Sequence, residues 1–184
     1  MRETERFNLA MEAIGLFHGE VSEDILLKED RFKSLRKKLL SGAAGFYSRL
    51  EGLLAGQEDR RSLAAMGDAY IGLGLVTSKI GSKLEALAVL RKGLAVRRKL
   101  AGAVGDSQGA TLNVARSLLE VATVAEETGD IPGAFAGYDQ SRALAEGLTE
   151  SGGSSSDKRA LLSQCYLKTG RLLNGTGKTT EATA

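Results

Sequence analysis

Small residues recur through this chain at a fixed step of 48 residues, without a gap, over three successive units. Gly81, Gly129 and Gly177 form one such column. Gly74, Ala122 and Gly170 form a second, and Ala86, Ala134 and Ala182 a third. A bulkier column, Tyr70, Leu118 and Tyr166, keeps the same step. Two helices cross closely only where their side chains are small, so small residues in register mark a stack of helical hairpins. In such a stack each unit touches only its neighbours, which leaves long outer faces free to bind.

The remaining composition agrees with an all-α chain. At 184 residues it can bury a core as one ordinary domain. Its one proline, Pro132, falls at the start of a predicted helix, where a missing N–H does no harm. Few segments carry the β-branched alternation that strands require. A net charge of +2 argues against a dedicated nucleic-acid binder. The single cysteine, Cys165, cannot close an internal disulfide, so a reducing, cytoplasmic setting is expected. No run reaches the roughly 18 apolar residues of a membrane span, so no membrane partner is expected. The N-terminal MRETERFNLAMEA mixes charges of both signs and has no cleavable apolar stretch.

Along the chain, residues 1–57 read as an N-terminal helical segment that caps one end of the stack. Phe7, Ala10, Ile14, Leu16 and Phe17 mark an amphipathic helix over about 3–20. Ser22 opens a short helical turn to Leu27, and a longer helix runs from about Asp30 to Ala55, ended by Gly56. Residues 58–184 carry the repeats, in units 58–106, 107–154 and 155–184. The first unit predicts a helix from about Asp59 to Ile80, a break at Gly81, and a second helix from Ser82 to about Ala103. Glu85 completes a capping box there. The second unit predicts helices over about 107–128 and, after Gly129 with Asp130 as N-cap, to about Glu150. The third predicts a helix over about 157–174, after a Gly/Ser loop at 151–156. The chain stops at Ala184, just after the next helix would begin. That predicts a piece of a longer protein whose Leu161, Leu162, Tyr166 and Leu173 are poorly covered, and a possible homodimer through this C-terminal end.

These columns resemble the tetratricopeptide repeat, which places a bulky residue, Leu-Gly, a glycine before the turn, then alanine and a bulky residue on the second helix. The first unit supplies Tyr70, Leu73, Gly74, Gly81, Ala86 and Leu90; the second supplies Leu118, Val121, Ala122, Gly129, Ala134 and Tyr138. The third supplies Tyr166, Gly170, Gly177 and Ala182, with Thr169 in place of leucine. The usual repeat is roughly 34 residues, so each helix here is longer by about two turns, and Thr77 replaces an expected aromatic. The resemblance implies a right-handed superhelix of antiparallel helix pairs that binds proteins. A second resemblance rests on EAIGLFHGEVSEDILLKEDRFKSLRKKLLSGAAGFYSRLEGLLAGQ and GSKLEALAVLRKGLAVRRKLA. They look like the region after the catalytic domain of some bacterial serine/threonine protein kinases. The kinase motifs themselves, a Gly-rich loop on a strand, HRD and DFG, are missing from this sequence. That resemblance implies a non-catalytic module of a signalling kinase.

Chemical motifs are weak by comparison. Gly177, Lys178 and Thr179 resemble the end of a phosphate-binding loop, but Leu172 stands where the pattern needs glycine, and a helix precedes it. Gly72 and Gly74 form a GxG inside a predicted helix, which removes the dinucleotide reading. His18 has no partner at metal or triad spacing. Cys165 reads as a buried small apolar residue. No enzyme activity, cofactor or metal is expected. Two basic runs, Lys33–Lys38 and Arg91–Lys99, could meet an acidic partner or RNA, but read first as solvated helix faces.

In the repeat class just named, the first helix of each pair lines the groove. By column, Ile71, Leu119 and Leu167 fall in one row. Flanking them are Asp68, Leu75, Ser78 and Lys79, then Arg116, Thr123, Glu126 and Glu127, then Gln164 and Arg171. An apolar row among mixed charges suits an amphipathic helix or apolar peptide as partner. The alternative is that the row packs on the chain's own N-terminal helix. The function expected is protein–protein interaction. An oligomerisation scaffold is the alternative, and nucleotide or RNA binding ranks behind both.

Overall fold

The computed structural model describes residues 59–104, 108–148 and 155–175, with scattered helical positions between 34 and 52. The chain divides into two compact units, residues 1–39 and 40–184, and the helices below all belong to the second. The sequence readings at residues 3–27, His18, Gly105–Ser107, Ser151–Ser154 and Gly177–Ala182 lie outside the described residues. So does any cover from the N-terminal helix.

Among the described residues from 59 on, five helices follow one another: α1 Arg60–Ile80, α2 Lys83–Val104, α3 Gln108–Glu127, α4 Ile131–Glu146 and α5 Ser155–Gly175. Among the described residues there is no strand. Local signals set most of the ends. The Asp59 carboxylate accepts from the backbone N–H of Arg61 and Ser62 at 3.0 and 3.1 Å. The Ser62 hydroxyl donates to the same carboxylate at 2.5 Å. The Ser62 hydroxyl bond, with these N–H bonds, holds Asp59 below the usual carboxylate range. At the other end of α1 the Gly81 N–H closes on Thr77 O at 2.8 Å. Ser82 then accepts from the Glu85 N–H at 3.4 Å to start α2.

The turn from α3 to α4 is a Schellman closure. Gly129 sits at φ +84°, a left-handed conformation that favours glycine. Its N–H donates to Glu126 O at 3.0 Å, and the Asp130 N–H reaches back to Ala125 O at 2.9 Å. Asp130 then caps α4 by accepting from the Gly133 N–H at 3.0 Å, with Pro132 in the first turn. Two ends differ from expectation. α4 stops at Glu146 instead of about Glu150, with Gly147 donating back to Ala143 O at 3.2 Å. α5 starts two residues early, at Ser155.

α1 and α2 form an antiparallel hairpin. As α1 is followed from Gly67 through Ile71 to Gly74, its neighbours on α2 step backwards from Arg97 through Gly93 to Leu90. Glycine is needed at these crossings for space. A methyl on Gly74 would lie 2.5 Å from Leu90 Cγ, and one on Gly93 would lie 2.8 Å from Ile71 Cδ1. α3 and α4 form a second hairpin, in which Gly137 faces Ala122. Each helix packs mainly on its neighbours in the chain, most closely within the pairs α1–α2 and α3–α4, while α1 meets α3, and α3 meets α5, more lightly. One core links all five, from Ile71, Leu87 and Leu90 through Leu119 and Tyr138 to Cys165 and Leu172. Tyr138 is fully enclosed, and its hydroxyl donates to Glu126 at 2.5 Å. Burial, reinforced by that bond, pushes its pKa up.

Candidate interaction surface

The structure separates the residues that the sequence places in one row. Ile71 is 6% exposed and lies under Gly93 of α2, so it faces the inside of its own hairpin. Leu119 is 5% exposed and belongs to the core. Leu167, by contrast, is 52% exposed. The expected row through Ile71 is therefore not one open surface: the rotation of α1 against α2 turns its isoleucine inward, into space that the missing Gly93 side chain leaves.

The flanking residues divide in the same way. Leu75 is half-buried against the core. Arg116 pairs with Asp157 at 3.0 Å and so joins α3 to α5. Glu126 is occupied by the Tyr138 hydroxyl. Arg171 is exposed near the end of α5.

A smaller site survives between α3 and α5. Leu119, Glu120 and Thr123 from α3 face Gln164, Leu167 and Lys168 from α5 around a cavity of about 210 Å³. Leu119 closes the bottom and Leu167 stands at the edge. Glu120 is partly buried, and burial raises its pKa, against the pull of Lys168 and Arg97. The groove thus offers two leucines, one lysine, one partly desolvated carboxyl and two neutral hydrogen-bonding side chains. The set has no nucleophile–base pair. Comparison with protein-family models gives no match, and comparison with curated proteins gives none either.

Glu120 and Lys168 are absent from the row read in the sequence. Their signal was present: they also stand 48 apart, one residue beyond Leu119 and Leu167, in a column whose first member is Gly72.

Gly72 and Gly74 lie within α1, with Gly74 against Leu90. Cys165 is fully buried; its thiol donates to the Ser141 hydroxyl at 3.3 Å, and burial raises its pKa. The basic run of α2 is partly structural. Arg97 is drawn inward, its side chain 14% exposed, and reaches Asp68 and Ser117 at 2.8 Å each. Arg91 pairs with Asp130 at 3.6 Å, and Lys92 lies 5.7 Å from the centroid of the Tyr70 ring. Among the described residues no three His, Cys, Asp or Glu side chains gather as a metal site. No helix among them is long and apolar enough to cross a membrane.

Proposed function

We propose that residues 58–184 act as a non-catalytic protein-interaction module, built as a tetratricopeptide-like stack, and that the α3–α5 groove takes an apolar or amphipathic segment of a partner. The observation that carries this reading is Leu167, half-exposed at the edge of a groove whose floor is the buried Leu119. A leucine at a solvated groove edge gains by being covered, and an amphipathic segment supplies that cover.

The repeat reading draws support from positions 48 apart that pair a small residue with a larger one in both hairpins. Gly74 against Leu90 in the first hairpin corresponds, 48 residues on, to Ala122 and Tyr138. Ile71 against Gly93 corresponds to Leu119 and Ser141, both buried. Ala69, Ser117 and Cys165, again 48 apart, are all buried and small. A kinase origin is carried by sequence resemblance alone, and a catalytic kinase domain encoded in the same reading frame is the result it expects.

The test is a photo-crosslinking capture with the probe at position 164, on the groove edge. Leu167→Asp should lose the captured partner while the circular dichroism spectrum stays unchanged. Leu84→Asp, at a 70% exposed position on α2, should keep it. Capture undiminished by Leu167→Asp would remove the groove from the proposal. Leu119→Asp is unsuitable, because it would bury an unpaired carboxylate in the core.

A second reading has its own observation. Tyr166 and Leu167 are adjacent and 56% and 52% exposed, so α5 could pair with a second copy. Sedimentation of Tyr166→Asp against the parent separates the two: a dimer lost in that variant marks self-association.

A further inference from the structure

A larger cavity, about 420 Å³, lies among α2, α3 and α4 and shares no residue with the α3–α5 groove. Its walls include Val114 and Leu118 from α3 and Ala143 and Leu144 from α4, while Arg98 and Gln140 stand at its edge. Val114 and Leu118 are buried, and Arg98 and Gln140 are exposed, so an apolar floor opens past two polar side chains at the edge. The volume falls within the range of small-molecule sites, roughly 300–1,000 Å³.

Arg98 differs in its partner from three other cations of α2. Lys83 meets Glu127 at 2.8 Å, Arg91 meets Asp130 at 3.6 Å and Arg97 meets Asp68 at 2.8 Å. Arg98 instead donates to the neutral Gln140 carboxamide oxygen at 3.1 Å. Among the described residues it forms no ion pair. A carboxylate competes well with a neutral acceptor for a guanidinium, because it adds attraction between opposite charges and can accept two parallel N–H bonds. Gln140 can then turn its amide NH₂ towards the same anion.

We propose that this face binds a medium-chain aliphatic carboxylate, its tail against Val114, Leu118 and Leu144 and its head on Arg98. The tail removes apolar wall from water, and the head completes the charge that Gln140 leaves unbalanced. A neutral amphiphile forgoes the second gain. A cationic one is repelled.

The experiment titrates the full chain with decanoate and follows backbone amides by ¹H–¹⁵N correlation spectra, with decanol and decyltrimethylammonium in parallel. Decanoate is expected to shift the amides of Val114, Leu118, Gln140 and Leu144 saturably, and decanol to bind at least about tenfold more weakly, a factor that one charge-assisted contact supplies. Arg98→Gln should reduce decanoate to the level of decanol. Ala143→Trp, at an exposed wall position, should block the cavity while leaving Arg98 in place. Equal binding of the ammonium amphiphile, shifts centred elsewhere, or decanoate binding undiminished in both variants would each overturn the proposal.

Discussion

Arg97 of α2 donates to the hydroxyl of Ser117 on α3 at 2.8 Å, across the boundary between the two hairpins. The same guanidinium reaches Asp68 on α1 at 2.8 Å and Asn113 O at 3.3 Å. One side chain therefore ties three helices, and its stem passes over Gly67, where a methyl would lie 2.9 Å from Arg97 Cγ. Its Nε is buried without a partner, which offsets part of the gain.

Removing this tie should be costly. Arg97→Ala is expected to lower stability by about 1–3 kcal/mol, through lost charge-assisted bonds and lost stem packing. Asp68→Asn should cost less than about 1 kcal/mol, because that carboxylate is 59% exposed and water replaces its partner. Urea unfolding of the two variants against the parent checks the order. Equal losses would show that the ion pair, and not the link to α3, carries the effect.

Two glycines should respond in opposite directions. Gly74→Ala places a methyl 2.5 Å from Leu90 Cγ and 3.2 Å from Leu90 N, so the hairpin must spread. Overpacking of about 1–3 kcal/mol outweighs the roughly 1 kcal/mol that alanine gains in a helix. Gly102 is also helical, but a methyl there meets nothing within 4 Å. Gly102→Ala should therefore stabilise by about 0.5–1 kcal/mol. Thermal melts of both variants measure the contrast.

Glu120 should make the protein respond to pH. Burial raises its folded-state pKa; Glu127 adds to the rise, while Lys168, Arg97 and Lys79 oppose it. A carboxyl with a raised folded pKa binds protons more readily folded than unfolded. Its contribution to stability therefore grows as pH falls through the folded pKa, and at neutral pH it is a penalty. Glu120→Gln is expected to raise the urea midpoint at neutral pH, with the difference vanishing below the ordinary carboxylate range. A midpoint lowered at neutral pH would mean that attraction to Lys168 and Arg97 outweighs desolvation.

Cys165 should be chemically silent in the folded protein. It is fully buried, burial raises its pKa, and its hydrogen bond to Ser141 offsets that rise only in part. Labelling by a thiol reagent such as Ellman's should be slowed on the order of a thousandfold or more relative to the urea-unfolded chain, because it must await opening. Rapid labelling without denaturant would show that α5 detaches readily from α4.

Most helix ends were legible because their causes are local. Asp59, Ser82, Gly129 and Asp130 act on backbone groups within a few residues, so their meaning does not depend on what packs nearby. Crossing points were legible for a related reason: a small side chain at Gly74, Ala86 or Ala122 permits close approach whichever neighbour arrives. The open site was only half legible. Leu119 and Leu167 border one groove as the 48-residue step suggests, yet Ile71, in the same column, is sealed beneath Gly93.

The sequence alone determined an all-helical chain with its turns at Gly81 and Gly129, because cap hydrogen bonds and the backbone freedom of glycine are properties of a few consecutive residues. Only the tertiary structure decided that Ile71 and Arg97 turn inward while Leu167 faces water. Exposure depends on how each helix is rotated against its neighbours, and that rotation is fixed by space left on another helix, distant in the chain.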